Sequence, residues 1–348
     1  MSDSTRTVLI VGAGAEVVEA LESSYARAFE HLGFKVYRWN PAHALAKVAR
    51  FGRFGKLFST FVNVEPWMRK SNLELLSYAD ELHPNLILII ATHGVRPGTL
   101  AQIRVRLPDC LIYCIYPDSP HNLDADRILS IPFFDRICVS SPAWVESWRR
   151  LGANHVSYLP FAADTYTHYL APNNSNSFSH RDLAFVGTWR IEREIVLEQL
   201  SDFDLIIWGS HYWKSRTRPS SPLRASWAGR SLKGNEFALA CAHYRIMLNI
   251  VDPSTYPGPN MRTFEQAACG AFSLVTRTPA VLDIFKEGET IECFDTIEEV
   301  RSKISYYLSH EDARQRITAA AYQLVTEQHT YIVRVKQITE WMQMDYSG

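Results

Sequence analysis

The sequence predicts an α/β protein built from two doubly wound domains, and three observations carry that prediction. Short apolar runs of the kind buried on both faces of a parallel sheet recur along the chain, among them Thr7-Val8-Leu9-Ile10-Val11 and Asn85-Leu86-Ile87-Leu88-Ile89-Ile90-Ala91. Helix-length segments alternate with these runs, as parallel strands require. The same strand-turn-helix grammar then restarts at Asp182-Leu183-Ala184-Phe185-Val186-Gly187, after a polar, turn-rich stretch, Pro172-Asn173-Asn174-Ser175-Asn176-Ser177. The expected domains are 1–170 and 181–331, joined by a linker at 171–180, with a C-terminal helix at about 332–348 packing back on the first. At 348 residues and 47% hydrophobic the chain is long enough for two cores.

Charge narrows the function classes. Lys and Arg number 36 against 37 Asp and Glu, a net charge of −1, so no global basic field is present to hold nucleic acid, and any phosphate site must be local. The amino terminus, Met1-Ser2-Asp3-Ser4-Thr5-Arg6, is polar and runs straight into a strand. The run at Leu86–Ala91 is far too short to span a bilayer, and a cytoplasmic location is the expectation. Cys110, Cys114, Cys138, Cys241, Cys269 and Cys293 lie in apolar surroundings without CxxC pairs, which reads as reduced core thiols with no metal site.

The first strand runs into Gly12-Ala13-Gly14 and a helix from about Glu16 to Leu32, with Gly33 after it and a second strand at Phe34–Trp39. This is a βαβ opening, but the third glycine of a dinucleotide fingerprint would fall at Val17. The second strand also ends without an acidic residue for a ribose, which argues against NAD. Residues 41–75, with Phe51, Arg53, Phe54, Lys56, Phe58 and Phe61, read as helical. Packing is the default there, and peripheral membrane contact or an acceptor-binding face stays open. Strands follow at Leu111–Tyr116 and Arg136–Ser140. Ligands of doubly wound sheets lie beyond the carboxyl ends of the strands, so His93, Asp118 and His121 are candidates for a general base or a hydroxyl anchor. Asp124 and Asp126 read as a helix start rather than a metal site.

In the second half, Gly187-Thr188-Trp189-Arg190-Ile191-Glu192-Arg193 occupies a strand-to-helix turn suited to phosphate, with Arg190 and Arg193 a turn apart. Strands are expected at Leu205–Gly209, Ile246–Ile250, Ala271–Thr276 and Thr290–Phe294, and helices at Arg190–Leu200, from about Ile297 to Leu308 and from Glu311 onward. The basic, aromatic stretch Ser210–Lys233 reads as a loop beside the ligand. Between the third and fourth of these strands, Pro257 and Pro259 give way to a short helix with Asn260 as N-cap and Gly270 beyond its end, carrying Arg262, Thr263 and Glu265 in its first turns.

Several ordered motifs together are more specific than any one. Phe185-Val186-Gly187-Thr188 with Arg193, Leu248-Asn249-Ile250, Asn260-x-Arg262-Thr263-Phe264-Glu265-x-Ala267-x-Cys269-Gly270, Ile284-Phe285-x-x-Gly288-x-x-Ile291, Tyr306-Tyr307-Leu308-x-His310 and His329-Thr330 resemble the CgeB-type spore-maturation glycosyltransferase-like family. Phe134-Asp135-Arg136 and Tyr158-Leu159-Pro160-Phe161-Ala162 look like that family too. The resemblance implies a GT-B fold, two Rossmann-like domains facing across a cleft, and transfer of a sugar from a UDP- or GDP-linked donor to an acceptor hydroxyl on a glycan, a protein or a small molecule. No cofactor or metal is implied, and a retaining outcome follows by analogy with family-4 glycosyltransferases. It implies Glu265 on the donor ribose and Arg193, with Arg190 beside it, on the diphosphate; Gly187, Asn249, Asn260, Arg262 and Thr263 complete the expected donor site, and His93 or Asp118, placed by the strand-end rule, is expected to face the acceptor. One position departs: where family-4 enzymes often carry a second glutamate, this chain has Pro257, so Asn260 or the amides of the 257–260 loop must meet the donor sugar instead. A non-enzymatic scaffold that binds a nucleotide or a protein partner is the alternative, and a dinucleotide oxidoreductase resting on Gly12-Ala13-Gly14 a more distant one.

Overall fold

Runs of β-branched and aliphatic residues bounded by Gly, Pro and polar turns become strands buried on both faces. A computed structural model describes residues 6–13, 20–48, 64–91, 94–172 and 178–347. Its chain divides into two units, Met1–Leu159 with Tyr331–Gly348, and Pro160–Thr330.

The first unit holds strands β1 (Thr7–Val11), β2 (Lys35–Trp39), β3 (Leu86–Ile90), β4 (Leu111–Tyr116), β5 (Arg136–Val139) and β6 (Val156–Tyr158). Helices α1 (Leu21–His31), α2 (Pro41–Val48), α3 (Glu65–Leu82), α4 (Pro97–Arg106), α5 (Ala125–Ser130) and α6 (Val145–Arg150) connect them. The sheet is parallel in the order β2-β1-β3-β4-β5-β6, with Val8 opposite both Val36 and Leu86. One face packs Leu9, Val11, Ile87, Ile89, Ile112 and Cys114 against the helices around Leu75, Leu100 and Trp148. The edge strand β6 is a three-residue element the apolar pattern did not announce. Asp124 caps α5 by accepting from the Arg127 amide at 2.9 Å, the helix start that its sequence suggested.

The second unit holds β7 (Leu183–Val186), β8 (Leu205–Trp208), β9 (Ile246–Asn249), β10 (Ser273–Thr276) and β11 (Glu292–Phe294). Its helices are α7 (Ile191–Glu198), α8 (Tyr212–Ser215), α9 (Leu223–Ser226), α10 (Glu236–His243), α11 (Met261–Ala268), α12 (Pro279–Leu282), α13 (Ile297–Ser309) and α14 (Glu311–Gln328). The stretch Ser210–Lys233, expected as loop, therefore contains two single helical turns. The sheet order β11-β10-β9-β7-β8 repeats that of the first sheet, again parallel throughout. Period-two alternation sends Leu183, Phe185, Ile207, Ile246 and Leu248 to one core, and Ala184, Val186, Ile206, Trp208 and Met247 to the other.

The apolar pattern from Glu311 onward breaks at His329-Thr330, and the last helix, α15 (Tyr331–Ser347), belongs to the first unit. There Tyr331 meets Tyr25 of α1 edge-on, with ring centroids 5.0 Å apart. Asp345 accepts from Arg136 at the start of β5 (Nη2–Oδ1 2.5 Å) and from the Tyr113 hydroxyl.

Candidate active site

Parallel sheets bind ligands where the chain reverses its direction of winding, beyond the carboxyl ends of the two strands flanking that point. In the second unit those strands are β7 and β9, neighbours in the sheet but not in sequence. The donor-side candidates from 187 to 193 follow β7, and Asn249, Asn260, Arg262, Thr263 and Glu265 lie at the end of β9 or on the helix beyond it.

Gly187 follows β7 and needs to be glycine for space, since a Cβ would sit 2.9 Å from Phe185 Cζ. Its carbonyl accepts from Trp213 Nε1 at 2.9 Å. Gly209, at the end of β8, approaches so closely that a Cβ there would lie 2.3 Å from the Gly187 oxygen. The turn is thereby fixed from two sides, and α7 starts at Ile191 with Arg190 as its extended N-cap residue.

Arg193 is buried, only 8% exposed, and its fork is engaged in full view of β9. Nε donates to the Ile250 carbonyl (3.1 Å), Nη1 to Thr188 O and Oγ1 (3.0 and 3.1 Å), and Nη2 pairs with Asp252 (2.7 Å). Burial lowers its pKa from the ordinary value; Asp252 opposes this, while Arg190 and Arg262 lower it further. That mutual influence puts three arginines in one neighbourhood. Arg190 is exposed and has no ion pair among the described residues, so it is the cation presented to solvent at this turn. Arg193 braces the turn from within.

The β9 end continues the site. Asn249, at the last position of the strand, and Asn260, the N-cap of α11, exchange side-chain amides: Asn249 Nδ2 donates to Asn260 Oδ1 (2.9 Å) and Asn260 Nδ2 to Asn249 Oδ1 (2.7 Å). Asn260 Oδ1 also accepts from the Thr263 amide (3.2 Å), and Asn249 Nδ2 donates to Thr263 Oγ1 (3.1 Å). All three residues are buried. They tie the strand end to the helix start, which sequence reading had assigned to ligand contact. The intervening loop contains a cis Tyr256-Pro257 peptide bond, with Gly258 donating to the Thr255 carbonyl (2.8 Å).

One turn into α11, Glu265 is 3% exposed. Arg262 pairs with its Oε2, and the Arg262 guanidinium lies 4.4 Å over the Phe237 ring. His168 Nε2 faces Oε1 at 3.6 Å, and the same Phe237 packs against the His168 ring. His168 had no signal in the sequence, because a lone histidine in a polar turn 97 positions upstream has no spacing relation to α11. Gly270, φ +70°, ends the helix in the left-handed region that its sequence position suggested.

In the first unit, Asp118 follows β4 and is half-buried. Burial pushes the neighbouring Tyr116 hydroxyl up to about 12, against Arg127 and with Asp118 adding to the rise. His93 lies outside the described residues, as do Gly14 and the aromatic stretch at 51–61. Ala91, two residues before His93 in sequence, has φ 36° and is held by Arg127 Nη2 on its carbonyl at 3.0 Å. All six cysteines are free and buried, and burial pushes the thiols of Cys110, Cys114 and Cys293 up to about 12, which removes them as nucleophiles. Among the described residues, no group of three or more His, Cys, Asp or Glu is arranged to hold a metal ion, and no helix is long and apolar enough to cross a membrane.

Two parallel sheets of matching order define the GT-B class, and solved structures similar to the chain share that fold. Sucrose-phosphate synthase (tll1590) from Thermosynechococcus elongatus is 12% identical, with TM-score 0.69 over 99% of this chain and 100% of that one. Alr3699/HepE of Anabaena, in complex with UDP and glucose, is 12% identical, with TM-score 0.65 over 97% and 100%. A glycosyltransferase from Rickettsia africae ESF-5 is 11% identical, with TM-score 0.69 over 98% of each chain. Residues 190–340 match the glycosyl transferase-like family model, a span that opens at Arg190 and contains α11 whole. No curated protein sequence matches the chain. The fold is therefore that of the GT-B class, and the glycosyl transferase-like match falls mostly within the second unit.

Proposed function

We propose that the protein transfers a sugar from a nucleoside-diphosphate-sugar donor to a hydroxyl acceptor, without a metal ion and with retention at the anomeric carbon. The observation that supports this most directly is the meeting, at the β7–β9 switch point, of a glycine turn with Arg190 exposed beside it and a buried carboxylate, Glu265, held by Arg262. A carboxylate accepts from two vicinal ribose hydroxyls, while Arg190 and Arg262 stabilise the charge that grows on the departing diphosphate. Arg193 and the Asn249–Asn260–Thr263 cluster keep those groups in place. UDP is the first nucleotide to test, because a similarly folded protein is known in complex with it. On the first unit, Asp118, just beyond β4, and His93, which follows β3 in sequence, are the acceptor-side candidates. The ordered motifs of α11 and of β7 support a place beside the CgeB-type proteins within the glycosyltransferases.

Thermal shift with a panel of UDP-, GDP- and dTDP-sugars tests the reading. Stabilisation by one base family, lost in Glu265→Gln, is expected; equal stabilisation of wild type and Glu265→Gln, or none by any nucleotide, removes it. Pro257, standing where a second glutamate would meet the donor sugar, favours one rival: a scaffold that binds the nucleotide without transfer. Long incubation with the bound donor separates the two, since only the enzyme releases free nucleoside diphosphate.

A further inference from the structure

Glu265 has two neighbours for its two oxygens, and they come from different parts of the chain. Arg262, one turn back on α11, takes Oε2. His168 stands opposite Oε1, on a turn that opens the second unit.

That turn is built with care. The Asp164 carbonyl accepts from the amides of Thr167 (3.0 Å) and His168 (2.7 Å), and its side chain accepts from the Tyr166 amide (3.0 Å). Ala163 just before it donates to the His329 carbonyl at 2.9 Å. Two residues after His168, Leu170 reaches the helix end, its Cδ2 lying where a Cβ on Gly270 would come within 2.5 Å. The imidazole is 8% exposed and edge-on to Phe237, with ring centroids 5.9 Å apart. Its Nδ1 accepts the Asp164 amide at 3.1 Å. An imidazole nitrogen that accepts a hydrogen bond carries no proton, so the neutral ring holds its proton on Nε2, the atom facing Glu265. At 3.6 Å the contact is electrostatic, longer than a hydrogen bond, and a few tenths of an ångström close it.

We propose that His168 is a positioning residue for nucleotide binding: its Nε2–H holds Glu265 Oε1 while Arg262 holds Oε2, so that both carboxylate oxygens meet the vicinal hydroxyls of the donor ribose in one orientation. A carboxylate held through one oxygen keeps rotational freedom that the ligand must remove on binding; one held through both is preorganised for a diol. The inference rests on the assignment of Glu265 to the ribose.

Isothermal titration with UDP and with 2′,3′-dideoxy-UDP tests both statements separately. GDP and its dideoxy analogue replace them if the nucleotide panel selects guanine. Wild type is expected to prefer UDP by about tenfold or more, the effect of hydrogen bonds to a charged group. His168→Asn keeps an acceptor for the Asp164 amide but loses the Nε2 donor, and should narrow that preference about fivefold with binding of the dideoxy analogue unchanged. His168→Gln, which places an amide donor at the Nε2 position, should restore it. Equal loss for both ligands in His168→Asn, or no change for either, overturns the positioning role. If His168→Asn does not fold, His168→Phe, which keeps the ring against Phe237, is read against the same outcomes. A wild-type protein that binds both nucleotides equally overturns the ribose assignment itself, and this inference with it, before any His168 variant is measured.

Discussion

Asn249 and Asn260 show how much one side chain can hold at this site. Removing the Asn249 amide leaves the buried Asn260 Nδ2 without its acceptor, so Asn249→Ala should cost about 1–3 kcal/mol, measured by urea denaturation. The two arginines of the turn separate position from ligand contact. Arg190→Ala should weaken nucleotide binding about tenfold in titration with no change in melting temperature, since the side chain is exposed and unpaired among the described residues. Arg193→Ala leaves Asp252 buried without its partner and should destabilise the protein by about 3–5 kcal/mol. Gly209→Ala drives a methyl group into the Gly187 carbonyl and should cost about 1–3 kcal/mol or more, with nucleotide binding falling alongside. Asn260 was legible as an N-cap, and Gly270 as the stop of that helix, because capping chemistry is local. Arg193 was legible as a cation but not as a brace, because its partners Ile250 and Asp252 are almost sixty positions away and spacing along one helix says nothing of them.

Elements of the second unit are fastened by charge where the sheet narrows to its edge. Arg277, directly after β10, reaches Glu287 (Nη2–Oε1 2.6 Å), Glu299 of α13 (2.5 Å) and Asp295, and Lys303 adds Glu287 (2.8 Å) and Glu292 (2.6 Å). Arg277 holds the carboxyls of Glu287 and Glu299 down at about 2, with Lys303 adding to both. Their ordinary value is 4.5, so folding depresses the pKa. The stabilisation is then complete above about pH 4.5 and lost as pH falls from there toward 2. Arg277→Leu should flatten the fall of the urea midpoint across that window, and an unchanged slope would show that other carboxylates govern acid unfolding. Strands β1, β4 and β7 could be read from their apolar runs almost to the residue, because burial on both faces leaves no polar positions to blur the pattern. The three-residue β6 has too few positions to show a period, and the turns α8 and α9 sit among prolines and arginines that read as loop.

At the scale of the molecule, the two units share one strand order, and the first is made of two stretches distant in sequence. Helix α15 buries Tyr331, Val335, Ile338 and Met342. Ending the chain after Thr330 removes that apolar cover and should cost on the order of 6 kcal/mol. Calorimetry should then show the transition of the first unit displaced to lower temperature, with the nucleotide-dependent shift of the second retained. A loss of the nucleotide shift at unchanged first-unit stability would contradict this division of roles.

The discontinuity of the first unit also orders events during synthesis. The 171 residues from Pro160 to Thr330 form a continuous unit that is complete before α15 has been made. At about 5–20 residues per second, a ribosome takes roughly 10–35 s to produce them. Throughout that interval Tyr25, on the α1 surface that Tyr331 later covers, waits uncovered on a nascent chain. The first domain to leave the ribosome is thus the last to be finished, and its exposed helix face is where a holding chaperone would find this protein.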